Sequence, residues 1–281
     1  MASQNSPHIL KHMNGPPQFN VGLKPIALES WLLPDDQFEW TAQKGLILDQ
    51  ISTEVFQALP TSMPAQIEAA ELVSKCLGAK LQANEPPLMA ASRLVSDDLI
   101  LMEKIDDRWQ LTALSLCSPT FFDAKYAIGN SLTLLHDSIP TGDYDLAGRI
   151  SRVFDSFTPD NILERFNWTV QWGGDKYTPK GQVLRDAASV APTTDAPTML
   201  FERVERQTIR RLPKSGAVLF TIRVRLTKLF DILQNERARM AFSAAWHEAP
   251  KNVREYKKWQ VLERHVAAIL EAFGNTPGAA N

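Results

Sequence analysis

The chain reads as an α+β protein: a five-stranded antiparallel sheet with helices laid against it and helical extensions at both ends. Three observations predict this. Runs rich in Val, Ile, Thr and Phe flank the turn-forming stretch LPKSGA, marking a β-hairpin over residues 199–226. LVSDDLILMEKI and RWQLTALSLC flank Asp106 and Asp107, marking a second hairpin within residues 94–117. Segments of helical spacing separate the two hairpins, together with one more strand-like run, FNWTVQW at 166–172, closed by Gly173 and Gly174.

In chain order, residues 1–20 form a polar, flexible arm interrupted by Gly15, Pro16 and Pro17. Residues 21–90 form an N-terminal helical extension. Within it, Trp40, Leu46, Ile47, Ile51, Val55 and Phe56 are spaced for an amphipathic helix over 39–59, and a second helix runs over 65–81, opened by Pro64. The core spans residues 91–227: two strands, helical stretches over 123–135 and 144–157, then three strands. Residues 175–198, rich in Pro, Thr and Ala, form a long connection. Residues 228–281 form a C-terminal extension with helices near 229–247 and 253–273.

With 281 residues and 44% hydrophobic content, the chain holds one substantial core. A formal net charge of −2 argues against a broad nucleic-acid footprint. Two cysteines, Cys76 and Cys117, are too few for a disulfide framework. There is neither an apolar leader-like run at the start nor a stretch long enough to span a membrane, so a cytoplasmic setting without membrane association is expected.

The chemistry concentrates on the first strand of the 199–226 hairpin, which carries Arg203, Glu205, Arg206, Gln207, Arg210 and Arg211. Alternation puts Arg203, Glu205 and Gln207 on one face, and Val204, Arg206 and Thr208 on the other. A strand that only packed a core would not need these side chains; either one face is wet or they point at something charged. On the second strand, Val218, Phe220, Ile222 and Val224 share an apolar face. Asp97 and Asp98, adjacent on a strand, point to opposite faces and do not act as a carboxylate pair. Trp168 and Trp172 share a face of the third strand.

RVERQTIRRLPKSGAVLF resembles the signature of the haem-dependent oxidative N-demethylase alpha-subunit family, and further landmarks of that family follow in order. They are Gly22 to Pro25, Trp31 with Leu32, Leu94 to Leu99, Cys117 to Pro119, Lys125 to Gly129, Leu135 to Pro140, and Asn167 with Trp168. The resemblance covers roughly residues 20–260. It implies that the five-stranded core is a PAS-like domain binding haem b. The implied activity is oxidation of a small methylated amine such as dimethylamine with O2 and delivered electrons. No Walker A, Rossmann or iron–sulfur cysteine pattern is present, so electrons would come from reductase partner subunits carrying FMN and a 2Fe–2S centre.

Of the five histidines, His8 and His12 fall in the arm, and His247 and His265 on C-terminal helices. His136 ends the apolar run Leu132–Leu135, a position that equally suits a buried histidine bonded at a helix terminus. The resemblance makes His136 the proximal iron ligand, with its second ring nitrogen tied to a carbonyl or carboxylate. Cys117 is the rival ligand, and reads otherwise as core filler. Trp168, Phe220 and Ile222 are expected to line the cofactor. Glu205 is expected to pair with an ammonium or relay a proton, beside Arg203, Arg206 and Gln207. Arg210 and Arg211 are expected to be structural. A haem-PAS gas or redox sensor, or a non-catalytic haem-binding subunit, is the alternative function.

Overall fold

The computed structural model describes residues 11–34, 37–120 and 122–274. Seven strands form one antiparallel sheet: β1 Lys24–Ile26, β2 Phe56–Ala58, β3 Asp98–Ile105, β4 Arg108–Ser115, β5 Ile162–Trp172, β6 Leu200–Arg211 and β7 Val218–Lys228. Their spatial order is β1-β5-β6-β7-β3-β4-β2. The sheet therefore has seven strands where five are expected. The two additions sit at the edges, β1 against the start of β5 and β2 against the end of β4. Each is only three residues long, too short to show an alternation in sequence.

Turn chemistry fixes both long hairpins. Asp106 and Asp107 have φ of 48° and 59°, the paired left-handed geometry that matches the twist of a two-residue hairpin. The β6–β7 loop closes on a buried acid from another element: Glu68 accepts from the backbone N–H of Lys214 at 2.6 Å and of Ser215 at 2.7 Å.

Helices cover both faces. α1 Phe38–Val55 and α2 Met63–Leu77 come from the expected amphipathic segments, and α3 Pro87–Ser92 follows the Pro86 break. On the face of Ile100, Met102 and Ile209 lie α4 Ala124–Ala127, α5 Leu132–His136 and α6 Leu146–Ser156. Over Trp168, Val170 and Val204, on the other face, lie α7 Gly181–Val190, α8 Ala196–Met199, α9 Leu229–Leu233, α10 Glu236–His247 and α12 Glu263–Gly274. α11 Lys251–Tyr256 connects the last two. α2 and α3 cover the rest of that second face, around Leu99, Leu101 and Leu219.

Three segments depart from expectation for identifiable reasons. The helix expected over 123–135 is split, because residues 129–131 pair with β4: Gly129 N–H donates to Leu111 O at 2.8 Å, and Leu111 N–H to Asn130 O at 2.9 Å. Gly129 turns the chain there at φ 80°. The long connection 175–198 contains α7 and α8, held by tertiary contacts; His265 Nε2 and Arg264 both donate to the Ala188 carbonyl near the end of α7, at 2.8 and 3.0 Å.

The third departure is in the arm. Its residues 1–10, with His8, lie outside the described residues, while Lys11–Asn14 form a 3₁₀ turn packed on the sheet. His12 is buried there, its Nδ1 2.7 Å from Glu202 Oε1. No described helix is long and apolar enough to cross a membrane.

Candidate functional site

The β6 alternation holds, and the covering layers decide what each face does. Its odd residues face α4–α6, where a cavity of about 260 Å³ opens between helices and sheet. Ile100, Met102, Leu111, Ile209, Phe220 and Ile222 form the sheet wall. Leu132, Leu135, His136, Ile150 and Phe154 form the helical wall, and Ser118, Thr120, Arg165, Glu205 and Gln207 contribute the polar part.

His136 lines this cavity as a partly buried residue. Its position follows from the split helix: Ser131 caps α5, accepting from Leu134 N–H at 3.4 Å, and His136 closes that short helix. His136 Nδ1 lies 2.8 Å from the Leu132 carbonyl oxygen. A carbonyl only accepts, so the proton is on Nδ1 and Nε2 carries a free lone pair. Burial, with Arg165 nearby, holds the imidazole below the ordinary histidine range against the opposing effect of that hydrogen bond, so the ring is neutral at pH 7.

Glu205 is buried at the polar end. Thr120 Oγ1 donates to its Oε1, while Gln207 Nε2 and Asn167 Nδ2 donate to Oε2 at 3.0 and 3.3 Å. Arg203 Nε lies 3.5 Å from Oε1. Burial pushes the carboxyl up, but Arg203, the Thr120 hydroxyl, Lys257 and Asn167 outweigh it, and the net position is below the ordinary glutamate value. Glu205 is therefore an ionised carboxylate. Arg203 stands behind it, donating to Ser118 O at 2.5 Å, Gln171 Oε1 at 3.2 Å and Lys176 O at 3.3 Å. Lys257 Nζ donates to Asn167 Oδ1 at 3.2 Å, and burial lowers its pKa to about 8.

Three residues expected at the site do not line the cavity: Arg203 stands behind Glu205, and two others lie on the opposite face. Trp168 lies on the opposite face of β5, its ring centroid 5.5 Å from that of Trp259 and its Nε1 donating to Gly15 O. Arg206 is also on that face, where it binds Glu164 and the carbonyls of Ser30 and Trp31. Strand parity excludes both from the cavity. Arg210 and Arg211 lie outside the cavity, each over an indole ring, of Trp31 at 4.4 Å and Trp109 at 5.7 Å.

The rival ligand Cys117 packs with Trp40, Leu48 and Val55, away from the cavity. Burial pushes its thiol up to about 12, so no thiolate exists at neutral pH. Asp97 and Asp98 diverge as expected: Asp97 Oδ2 accepts from Arg223 Nε at 2.8 Å, and Asp98 accepts from the N–H groups of Cys117 and Ser118 at 2.7 and 2.9 Å.

Arg165 and Lys257 are site residues that the sequence reading passes over. Arg165 precedes the strand expected at 166–172. Its signal is the alternation of Arg165, Asn167 and Thr169 with Phe166, Trp168 and Val170, which continues β5 toward its start.

Sheet and cavity together define a class: an α+β protein that holds an uncharged histidine and an ionised glutamate in one apolar-walled pocket. The family model described as "Haem-dependent oxidative N-demethylase, alpha subunit-like" matches residues 74–267. The chain belongs to that family.

Proposed function

We propose that the protein is the haem-binding catalytic subunit of an oxidative N-demethylase acting on a small secondary amine such as dimethylamine. One observation carries this reading: His136 presents an unprotonated Nε2 to an apolar cavity while its Nδ1–H is tied to the Leu132 carbonyl. That is how a neutral imidazole is oriented as a metal ligand, with tautomer and ring direction fixed by the outer hydrogen bond. The remaining donor set fits haem b: flat apolar walls from Phe220, Ile222 and Ile209, and a cationic Arg165 with a sealed, unbonded Nε.

Haem, when bound, supplies O2-dependent two-electron oxidation of an N-methyl group. The resulting carbinolamine collapses to formaldehyde and the demethylated amine. The chain's own groups do the rest. His136 Nε2 would hold the iron. Glu205, ionised beside Thr120 and Gln207, orients the amine N–H or accepts its proton. Met102, Leu132 and Phe154 exclude water around the reacting methyl group. Support for a PAS-like core is that the five central strands are all antiparallel and cup the pocket against α4–α6. The electrons are assigned to reductase subunits carrying FMN and 2Fe–2S, because no cysteine cluster for a relay occurs among the described residues.

Ferric, ferrous and ferrous–CO spectra of haem-reconstituted wild type and His136→Ala test this reading. Histidine-type spectra in the wild type, lost or altered in the variant, are expected. Amine turnover with a chemical or enzymatic reductant then separates an enzyme from a haem-PAS sensor. No haem uptake by the wild type overturns both and leaves a non-catalytic subunit.

A further inference from the structure

Arg165, Arg203, Arg210 and Arg225 each have an Nε sealed from solvent without a hydrogen bond, but Arg203 is held through its other nitrogens, Arg210 lies over the Trp31 ring, and of the four only Arg165 lines the cavity. Arg203 has three acceptors and a nearby carboxylate; Arg206 has Glu164 and two carbonyls; Arg223 has Asp97 and the carbonyls of Leu33 and Pro34. Arg165 lines the cavity from β5, and its Nε is sealed from solvent without a hydrogen bond. No ion pair or hydrogen bond links it to any described residue.

Glu205, the carboxylate that acts on Arg165, is already committed. Its oxygens accept from Thr120, Asn167 and Gln207, and Arg203 lies against it. Lys257 adds a further cation beside Asn167. On the cavity wall itself Arg165 and Glu205 are the charged groups, and Glu205 is already shared with Arg203 and Lys257 behind it, so Arg165 is left with uncompensated positive charge in partly desolvated surroundings.

We propose that Arg165 is the anchor for a carboxylate on the pocket's occupant, which, on the function proposed above, is a propionate of haem. A planar guanidinium fork matches a carboxylate in a way that an ammonium-bearing amine does not. Separate places for the two ligands follow. The anionic edge of the cofactor lies at Arg165, and the amine lies toward Glu205. Neutral Gln207 and Asn167 stand between charges that would otherwise compete for the same carboxylate.

The test compares binding of protohaem with that of its dimethyl ester, in which both propionates are neutral, by titration and by transfer of bound haem to apomyoglobin. Wild type is expected to prefer the free acid, and Arg165→Gln to shrink that preference by roughly 10–100-fold, the scale of one charge-assisted hydrogen-bonded pair. Arg165→Lys restores part of it, since the charge remains but the fork is gone. Thermal melts of the apoproteins show whether each variant folds, and removal of an unpaired cation is expected not to lower the melting temperature. An unchanged preference in folded Arg165→Gln overturns the proposal while leaving the haem reading intact. If wild type takes up neither haem nor its ester, the haem reading fails and this proposal with it.

Discussion

Arginines packed into the sheet's scaffold and the arginine on its cavity wall live in opposite conditions. On the helix-packed far face, Arg206 and Arg223 sit across from each other in register, and between them hold the carbonyls of Ser30, Trp31, Leu33 and Pro34 as well as two carboxylates. On the cavity face, Arg165 and the Nε2 of His136 lack such partners. Saturation marks a structural group, because burying a charge is costly unless most of its donors are matched. Incomplete satisfaction on a cavity wall marks a group matched by something that binds. The difference separates scaffold from site more sharply than residue type, since arginine stands on both sides of it.

Breaking the saturated side should have the largest effect. Arg223→Met strands the buried Asp97 carboxylate and two carbonyls, and should cost about 3–5 kcal/mol. Chemical denaturation of the apoprotein measures this, and a loss below 1 kcal/mol would show that the far-face network is dispensable. His136→Ala should behave in the opposite manner. It removes one hydrogen bond, worth about 1 kcal/mol of apoprotein stability. Haem affinity should fall by more than the ~10–100-fold typical of losing only an outer partner of a metal ligand. Equal stability losses in the two variants would erase the distinction.

Glu205→Gln sharpens the comparison from within the cavity, with an expected loss of about 1–3 kcal/mol at neutral pH. Because the folded-state pKa of Glu205 is depressed, its contribution is present above the unfolded value, about 4.5, and is lost as pH falls through the folded value. The wild type should therefore lose its advantage over the variant on acidification below about pH 4.5, which parallel melts at pH 7 and pH 3 would show.

An effect of opposite sign concerns Lys176, where burial, with Arg203 and Arg225 nearby, lowers the pKa to about 7. Below pH 7 both folded and unfolded chains carry the charge, and the folded one bears the cost of burying it. Between pH 7 and 10.5 the folded chain gives up the proton first, and stability rises with pH. Lys176→Met should be most stabilising relative to wild type at or below pH 7, with the gain fading by pH 10.5. A gain that does not change with pH would assign the effect to packing alone.

Much of this was legible in residue order. The Asp106–Asp107 turn, the parity of Arg203, Glu205 and Gln207, and the apolar set with Phe220 and Ile222 all follow from local chemistry and a period of two. Which face of β6 meets the cavity was not legible, because parity is symmetric and only the layers packed on each side choose between them. Trp168 illustrates this: it shares a strand with Arg165 and Asn167, yet parity turns it toward Trp259 and Phe242. Nor do three-residue edge strands or a helix split by pairing with β4 have a local signature. Each depends on a partner far along the chain.

The strap of carbonyls from Ser30 to Pro34 also sets a schedule. Its arginine partners lie 175 to 190 residues later in the chain. At about 5–20 residues per second of synthesis, the strap waits on the order of ten seconds or more before Arg206 and Arg223 are made. A segment made early is thus among the last to be secured, and the sheet cannot complete its far face until Arg223 has been synthesised.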